Sequence, residues 1–89
     1  MAVCQQILRI HTKVKDFEEV KRMVGPIIEY ANEKDIHLTI GIDDEDGGLY
    51  SECIVRGQTT RYCKALVADV KDMIRQTFHC KTEVVFHAW

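Results

Sequence analysis

Hydrophobic and polar residues alternate along the chain with two different periods, and their order predicts six elements. Residues 4–11, 36–42, 49–56 and 82–89 alternate at every second position, which is typical of β-strands that bury one face. Two longer segments between them repeat apolar residues at every third or fourth position, as amphipathic helices do. The predicted order is therefore strand, helix, strand, strand, helix, strand.

The two helical segments carry start signals. Asp16 is placed to cap the first helix, with Glu19 three residues later as in a capping box. The second helix is predicted to begin after Gly57, with Thr59 or Thr60 as its cap. The first apolar stripe continues on both sides of Gly25-Pro26. Because an interior proline removes a backbone hydrogen bond and strikes the preceding turn, we expect a kinked helix or two short helices end to end.

A weak internal repeat supports two β-α-β halves. A shift of 46 positions lays Val24 over Val70 and Leu38 over Val84. With short connections, this order predicts a four-stranded antiparallel sheet of strand order 4-1-3-2 with both helices on one face. This is the ferredoxin-like α+β architecture. A chain of 89 residues is expected to form it as a single domain over residues 1–89.

Composition and charge narrow the function classes. The chain is 46% hydrophobic and 29% charged with a formal net charge of −2, which predicts a soluble domain and argues against non-specific binding of nucleic acid or anionic membranes. No apolar run approaches the roughly 20 residues of a membrane span. Four cysteines without a secretory signal indicate reduced thiols in a cytoplasmic protein, with two or three of them in the core.

One face of the predicted sheet has no helix to cover it, and we expect it to bind a partner. Ile7, Ile54 and Val85 should form an apolar row across three neighbouring strands of that face. A second copy of the chain is the expected partner, and a different protein is the alternative. The predicted partner-binding residues are Ile7, Arg9, Tyr50, Ile54, Arg56, Val85, His87 and Trp89.

Other ligand classes have weaker support. The third strand lacks the Gly-Phe signature of the RNA recognition motif and places Glu52 where a phosphate would be repelled, so nucleic acid is not an expected partner. The residues Thr59, Thr60 and Arg61 at the second helix start are a candidate anion site, although simple capping also explains them.

Metal binding is not expected either. The acidic run Asp43-Asp44-Glu45-Asp46 fits a hairpin turn better than a calcium loop, because an EF-hand alignment lacks ligands at Ile42 and Cys53. There is no C-x-x-C pair, and His79-Cys80 is the one adjacent His-Cys couple. We therefore expect no metal and no cofactor.

No catalytic motif is present: there is no G-x-S-x-G, Walker or G-x-G-x-x-G sequence. His87 beside Glu83 could form an acid–base pair, which leaves a small enzyme as a third hypothesis. We expect a non-catalytic interaction or regulatory module that self-associates through its bare sheet face. The alternative is a small-ligand-sensing, ACT-like regulatory domain, which is weakened because the first strand–helix loop has no glycine.

Overall fold

Six elements follow one another in the order that the hydrophobic pattern predicts. The computed structural model describes residues 1–14, 16–42 and 48–88. The elements are β1 (Ala2–His11), α1 (Phe17–Glu33), β2 (His37–Ile42), β3 (Leu49–Gly57), α2 (Thr60–Phe78) and β4 (Lys81–Ala88). The acidic run Asp43–Asp46 lies outside the described residues, so the interpretation of that run as a hairpin turn stays a prediction.

The four strands form one antiparallel sheet in the order β2-β3-β1-β4. This is the predicted order read from the opposite edge, so the ferredoxin-like architecture is confirmed. The two central strands, β1 and β3, pair along nine positions from Ala2–Gly57 to Ile10–Leu49. Strands β2 and β4 are the two edges of the sheet.

Both helices begin at side chains that the sequence marks as caps. The Asp16 carboxylate accepts a hydrogen bond from the Glu18 amide at 3.0 Å, and the Thr59 hydroxyl accepts one from the Tyr62 amide at 3.1 Å. Helix α1 runs without interruption through Pro26, so of the two expected alternatives the two short helices are not formed, and a kink in the single helix stays a prediction. Among the described residues, no helix is both long and apolar enough to cross a membrane.

Burial on both sides of Pro26 explains why α1 continues. Val20 and Val24 precede the proline, Ile27 and Ala31 follow it, and all four are at most 3% exposed. An interior proline costs roughly 3 kcal/mol, whereas burying an aliphatic side chain contributes roughly 1.5–3 kcal/mol. The buried stripe therefore outweighs the lost backbone hydrogen bond.

The core lies between the helices and one face of the sheet. Cys4, Cys53 and Cys63 are at most 1% exposed, Cys80 is half-buried, and all four are free thiols. This confirms the prediction that two or three cysteines act as small core residues. The buried aliphatic and aromatic residues are Leu8, Ile10, Val20, Val24, Ile27, Ala31, Ile36, Leu49, Val55, Leu66, Val67, Val70, Ile74 and Phe78.

Candidate partner surface

The face of the sheet opposite the helices is formed by alternate residues of each strand. Along β1, Leu8 and Ile10 are buried under the helices, while Ile7 and Arg9 are only partly buried and point the other way. Strand β3 has the same alternation, with Leu49 to Val55 buried at every second position. Because α1 and α2 both pack on one side, the alternate positions form an open face.

Cross-strand pairing fixes the neighbours on this open face. Ile7 lies between Phe86 of β4 and Glu52 of β3, and Arg9 lies between Glu83 and Tyr50. Gln5 is flanked in the same way by Ala88 and Ile54. The structure thus brings together, on one face, five of the predicted partner-binding residues: Ile7, Arg9, Tyr50, Ile54 and Arg56.

A β-bulge in β4 changes which residues of that strand reach the open face. Ile7 pairs with Phe86, but the next residue, Leu8, pairs with Val84. Val85 is therefore an extra residue that no β1 residue opposes, and the alternation of faces inverts after it. Val85 is 52% exposed.

The prediction that His87 lies on the open face is wrong because of this bulge. His87 pairs with Gln6, which is buried on the helix side, and it lines a pocket against α2. Phe86 takes its place on the open face, where it is 47% exposed. Trp89, the other predicted residue at this end, lies outside the described residues.

Sequence reasoning missed Phe86, although a signal for it was present. Val84, Val85 and Phe86 are three consecutive apolar residues on an edge strand, which strict alternation does not explain. Such a run is compatible with one inserted residue that shifts the following side chain to the other face.

Apolar side chains on β1, β3 and β4 form a group on the open face. Val85 and Phe86 are about half exposed, Tyr50 is 38% exposed, and Ile7 and Ile54 are half-buried by their neighbours. We call these five residues the apolar patch. Glu52 lies within this patch, between Tyr50 and Ile54 on β3 and opposite Ile7, whereas Arg9, Arg56 and Glu83 lie at its margin.

The charges at the patch margin form a small cluster on β1 and β4. The Glu83 Oε2 atom lies 3.8 Å from Arg9 Nη1 and 3.5 Å from His11 Nε2. Glu83 and His87 lie on opposite faces of β4, so the acid–base pair considered for catalysis is not formed. The cluster is partly exposed, and ion pairs of this kind contribute less than about 1 kcal/mol.

The other candidate sites remain separate from this face. Thr59 uses its hydroxyl oxygen to cap α2, and Thr60 and Arg61 are exposed in the first turn, so anion binding there stays a prediction. Within residues 1–14, 16–42 and 48–88, no group of three or more His, Cys, Asp or Glu side chains could hold a metal ion.

The thiols are poorly suited to covalent chemistry. Burial raises the pKa of the Cys53 thiol to about 11 and also raises the pKa values of Cys4 and Cys80. Since the thiolate is the reactive form, these three groups stay protonated and unreactive near neutral pH.

Comparison with known proteins identifies the fold and not a family. No protein-family model matches the chain, and no curated protein matches it in sequence. It is similar to the de novo designed protein Foldit4, with 17% identity, a TM-score of 0.62, and 98% of this chain and 94% of that chain covered. It is also similar to the designed ferredoxin-fold protein LFR1 1, with 14% identity, a TM-score of 0.65, and 100% and 92% covered.

A third similar structure is part of a larger enzyme. Formyltetrahydrofolate deformylase from Burkholderia mallei matches with 14% identity and a TM-score of 0.51, over 94% of this chain but 28% of the enzyme chain. At these identities the three likenesses show a shared ferredoxin-like fold, which does not define a function.

Proposed function

We propose that this protein is a cytoplasmic, non-catalytic interaction module that pairs with a second copy of itself through the open face of its sheet. The observation that carries the proposal is the apolar patch on a face that neither helix covers. Free cysteines throughout the chain support a reducing compartment. Exposed contiguous apolar surface rimmed by polar residues is typical of partner surfaces.

The size of the open face supports pairing of two whole sheets. Four strands about 4.8 Å apart and about eight residues long span a flat area of roughly 500 Å². Pleating and side chains enlarge this area toward the roughly 800 Å² per partner of a standard interface. Two such sheets packed face to face would form a layer about 10 Å thick, with both apolar patches inside it.

The charges on the open face favour a second copy over a partner of single charge sign. Arg9, Arg56 and Lys81 contribute positive charge, whereas Glu52 and Glu83 contribute negative charge. A surface with both signs can complement itself in a two-fold arrangement, in which each contact occurs twice. Glu52 beside Ile7 would then need a cation of the other copy near it, since an unpaired buried charge is costly.

Sedimentation equilibrium tests this proposal directly. The weight-average mass is expected to rise from 10.3 kDa toward twice that value as the concentration rises. The useful range is about 5 to 500 µM, which covers the Kd of a moderately stable interface. A mass that stays at the monomer value over the whole range overturns self-association and leaves a different protein as the partner.

A matched pair of isoleucine variants locates the interface. Ile54→Lys places a charge in the apolar patch and should weaken the dimer at least about tenfold, because that charge would be buried without a partner. Ile28→Lys makes the same change at a 43% exposed position of α1 and should leave the dimer unchanged. Circular dichroism spectra of both variants serve as the control that each variant is still folded. Loss of the dimer in Ile28→Lys alone would assign the interface to the helices.

A further inference from the structure

The two edges of the sheet differ in how well they are protected against another strand. The β4 edge has the bulge at Val85 and the charged residues Lys81 and Glu83. Bulges and charges on an edge strand hinder the pairing of a further strand. The other edge, β2, pairs with β3 in continuous register over its six residues and contains no proline, Lys, Arg, Asp or Glu. The β2 edge therefore lacks the features that protect β4.

The backbone of β2 has hydrogen-bonding groups on its outer side. Within the described residues, no strand pairs with that side. Alternate residues of an edge strand direct their N–H and C=O groups away from the sheet. Over the six residues of β2 these groups form a row roughly 20 Å long. Another extended backbone is the structure that matches such a row.

Apolar side chains of β2 are incompletely covered beside this row. Leu38, Ile40 and Ile42 each pair with a buried residue of β3, so all three lie on the helix side of the sheet. Leu38 and Ile40 are half-buried, and Ile42 is 40% exposed. A further strand with apolar residues on its helix side would complete the burial of these three side chains.

Helix α1 adds two exposed apolar side chains above the same edge. It packs against β2 and α2. The Tyr30 hydroxyl donates a hydrogen bond to the Asp69 carboxylate of α2 at 3.2 Å, which marks the flank of α1 that faces α2. At about 100° per residue, Phe17 and Ile28 lie on the opposite flank, and they are 44% and 43% exposed. We call the following five residues the edge site: Phe17, Ile28, Leu38, Ile40 and Ile42.

The small area of the edge site favours a short extended segment over a folded partner. A strip roughly 20 Å long and about 10 Å wide covers roughly 200 Å². A standard protein–protein interface buries roughly 800 Å² on each partner. A second copy of the chain held at this edge alone would have too little contact area. An added strand instead obtains its affinity from main-chain hydrogen bonds and its specificity from alternate side chains.

We propose that the edge site binds an extended segment of a different protein, which adds a fifth strand beside β2. The segment alternates apolar residues with uncharged polar residues. Its apolar side chains pack against Leu38, Ile40 and Ile42 under the flank of α1. Its polar side chains lie on the open side of the sheet, next to Thr39 and Gly41, which lie on that side of β2. This binding does not depend on self-association through the open face.

An NMR titration of the ¹⁵N-labelled full chain tests the proposal with a synthetic peptide. The probe is a capped peptide of alternating threonine and valine with one lysine at each end. It should shift the β2 amides in a saturable manner and slow hydrogen exchange at alternate β2 residues. A peptide with proline at its two central residues carries the same charge but lacks N–H groups on both edges. It should bind at least about tenfold more weakly.

Two outcomes of this titration would overturn the proposal. One is the absence of saturable shifts in β2. The other is equal binding of the two peptides, which would show that main-chain pairing is not involved. Shifts confined to β4 would overturn it as well, because they would place the added strand at the protected edge.

A matched pair of variants locates the peptide and separates it from self-association. Ile42→Lys places a charge at the β2 edge and should weaken peptide binding about tenfold or more. Val3→Lys makes a similar change at a 48% exposed position of the central strand β1 and should alter binding less than about twofold. Circular dichroism serves as the control that both variants are folded. Equal losses in the two variants would contradict the edge site.

Sedimentation equilibrium of Ile42→Lys without peptide distinguishes the two proposals. The variant should self-associate as the unmodified chain does, because the edge site takes no part in that contact. Weaker self-association in Ile42→Lys would make the β2 edge a contact between copies of the chain and would overturn the different protein as its occupant. A chain that is monomeric throughout but binds the peptide would overturn only the pairing through the open face.

Discussion

The two faces of the sheet have the same alternation of residues but different surroundings. On the helix side, Leu8 and Val55 are each 1% exposed, because α1 and α2 place their apolar stripes over them. On the open side, Ile7 and Ile54 are shielded only by their neighbours in the sheet, and Phe86 is 47% exposed. The chain therefore completes one hydrophobic layer by itself, and the open face is the one through which we propose that a second copy binds.

Polar residues show the same difference between the faces. On the helix side, the buried residues of β3 include the small side chains of Ser51 and Cys53, and none of them is charged. The open side has Arg9 and Glu83 as neighbours across β1 and β4. Buried charge is costly unless it is paired, whereas exposed charge costs little. An apolar patch beside these charges is not expected on a sheet face that contacts only water.

The largest expected difference between the faces is in stability. Leu8→Ala should lower the free energy of unfolding by about 2–5 kcal/mol, because it leaves a cavity under the helices. Ile7→Ala, at the adjacent residue on the open face, should lower it by less than about 1.5 kcal/mol in the monomer. Urea denaturation at a concentration where the protein is monomeric measures both. Equal losses would show that the open face is covered within one chain.

The next effect is a pH dependence of stability that results from burial of the Cys53 thiol on the helix side of the sheet. In the unfolded chain the Cys53 thiol ionises near pH 9.0, whereas the folded protein holds the proton until about pH 11. In that window the unfolded state carries fewer protons, so stability falls as pH rises, by about 2–3 kcal/mol in all. Urea denaturation should show that Cys53→Ala removes this part of the decline. An unchanged pH slope in the variant would place water beside Cys53.

A smaller effect tests the bulge that assigns β4 residues to the two faces. Phe86→Ala should weaken the dimer about tenfold or more, because it removes an aromatic side chain from the apolar patch. His87→Ala, one residue later, should change the dimer dissociation constant less than about twofold. Analytical ultracentrifugation of the two variants compares them. A larger effect for His87 than for Phe86 would mean that β4 has no bulge in solution.

The smallest effect is expected from the charges at the margin of the patch. The coupling between Arg9 and Glu83, measured in a double-mutant cycle with Arg9→Gln and Glu83→Gln, should be under about 1 kcal/mol in the monomer. It should shrink further in high salt because both side chains are partly exposed. A coupling above about 2 kcal/mol that persists in salt would indicate a buried pair.

The sequence predicted the fold well because the helix stripes and strand alternation agree with one another. The apolar stripe of each helix must pack against an apolar face of the sheet. Together with the strand order, this requirement favours the topology in which both helices lie on the same side. The position of His87 could not be read in the same way, since the bulge depends on how β4 pairs with Ile7 and Leu8. The continuation of α1 through Pro26 agrees with the apolar stripe on both sides of the proline, whereas the choice between one helix and two could not be made from that stripe alone.

A dilution series of the methyl NMR spectrum tests the central claim most directly. The claim is that the open face, and not the helix layer, meets a second copy of the chain. Between about 500 and 10 µM, a range that spans the Kd of a weak dimer, the methyl signals of Ile7 and Ile54 should shift while that of the exposed Ile28 on α1 stays constant. Constant signals for Ile7 and Ile54 over this range, or shifts confined to Ile28, would contradict the account.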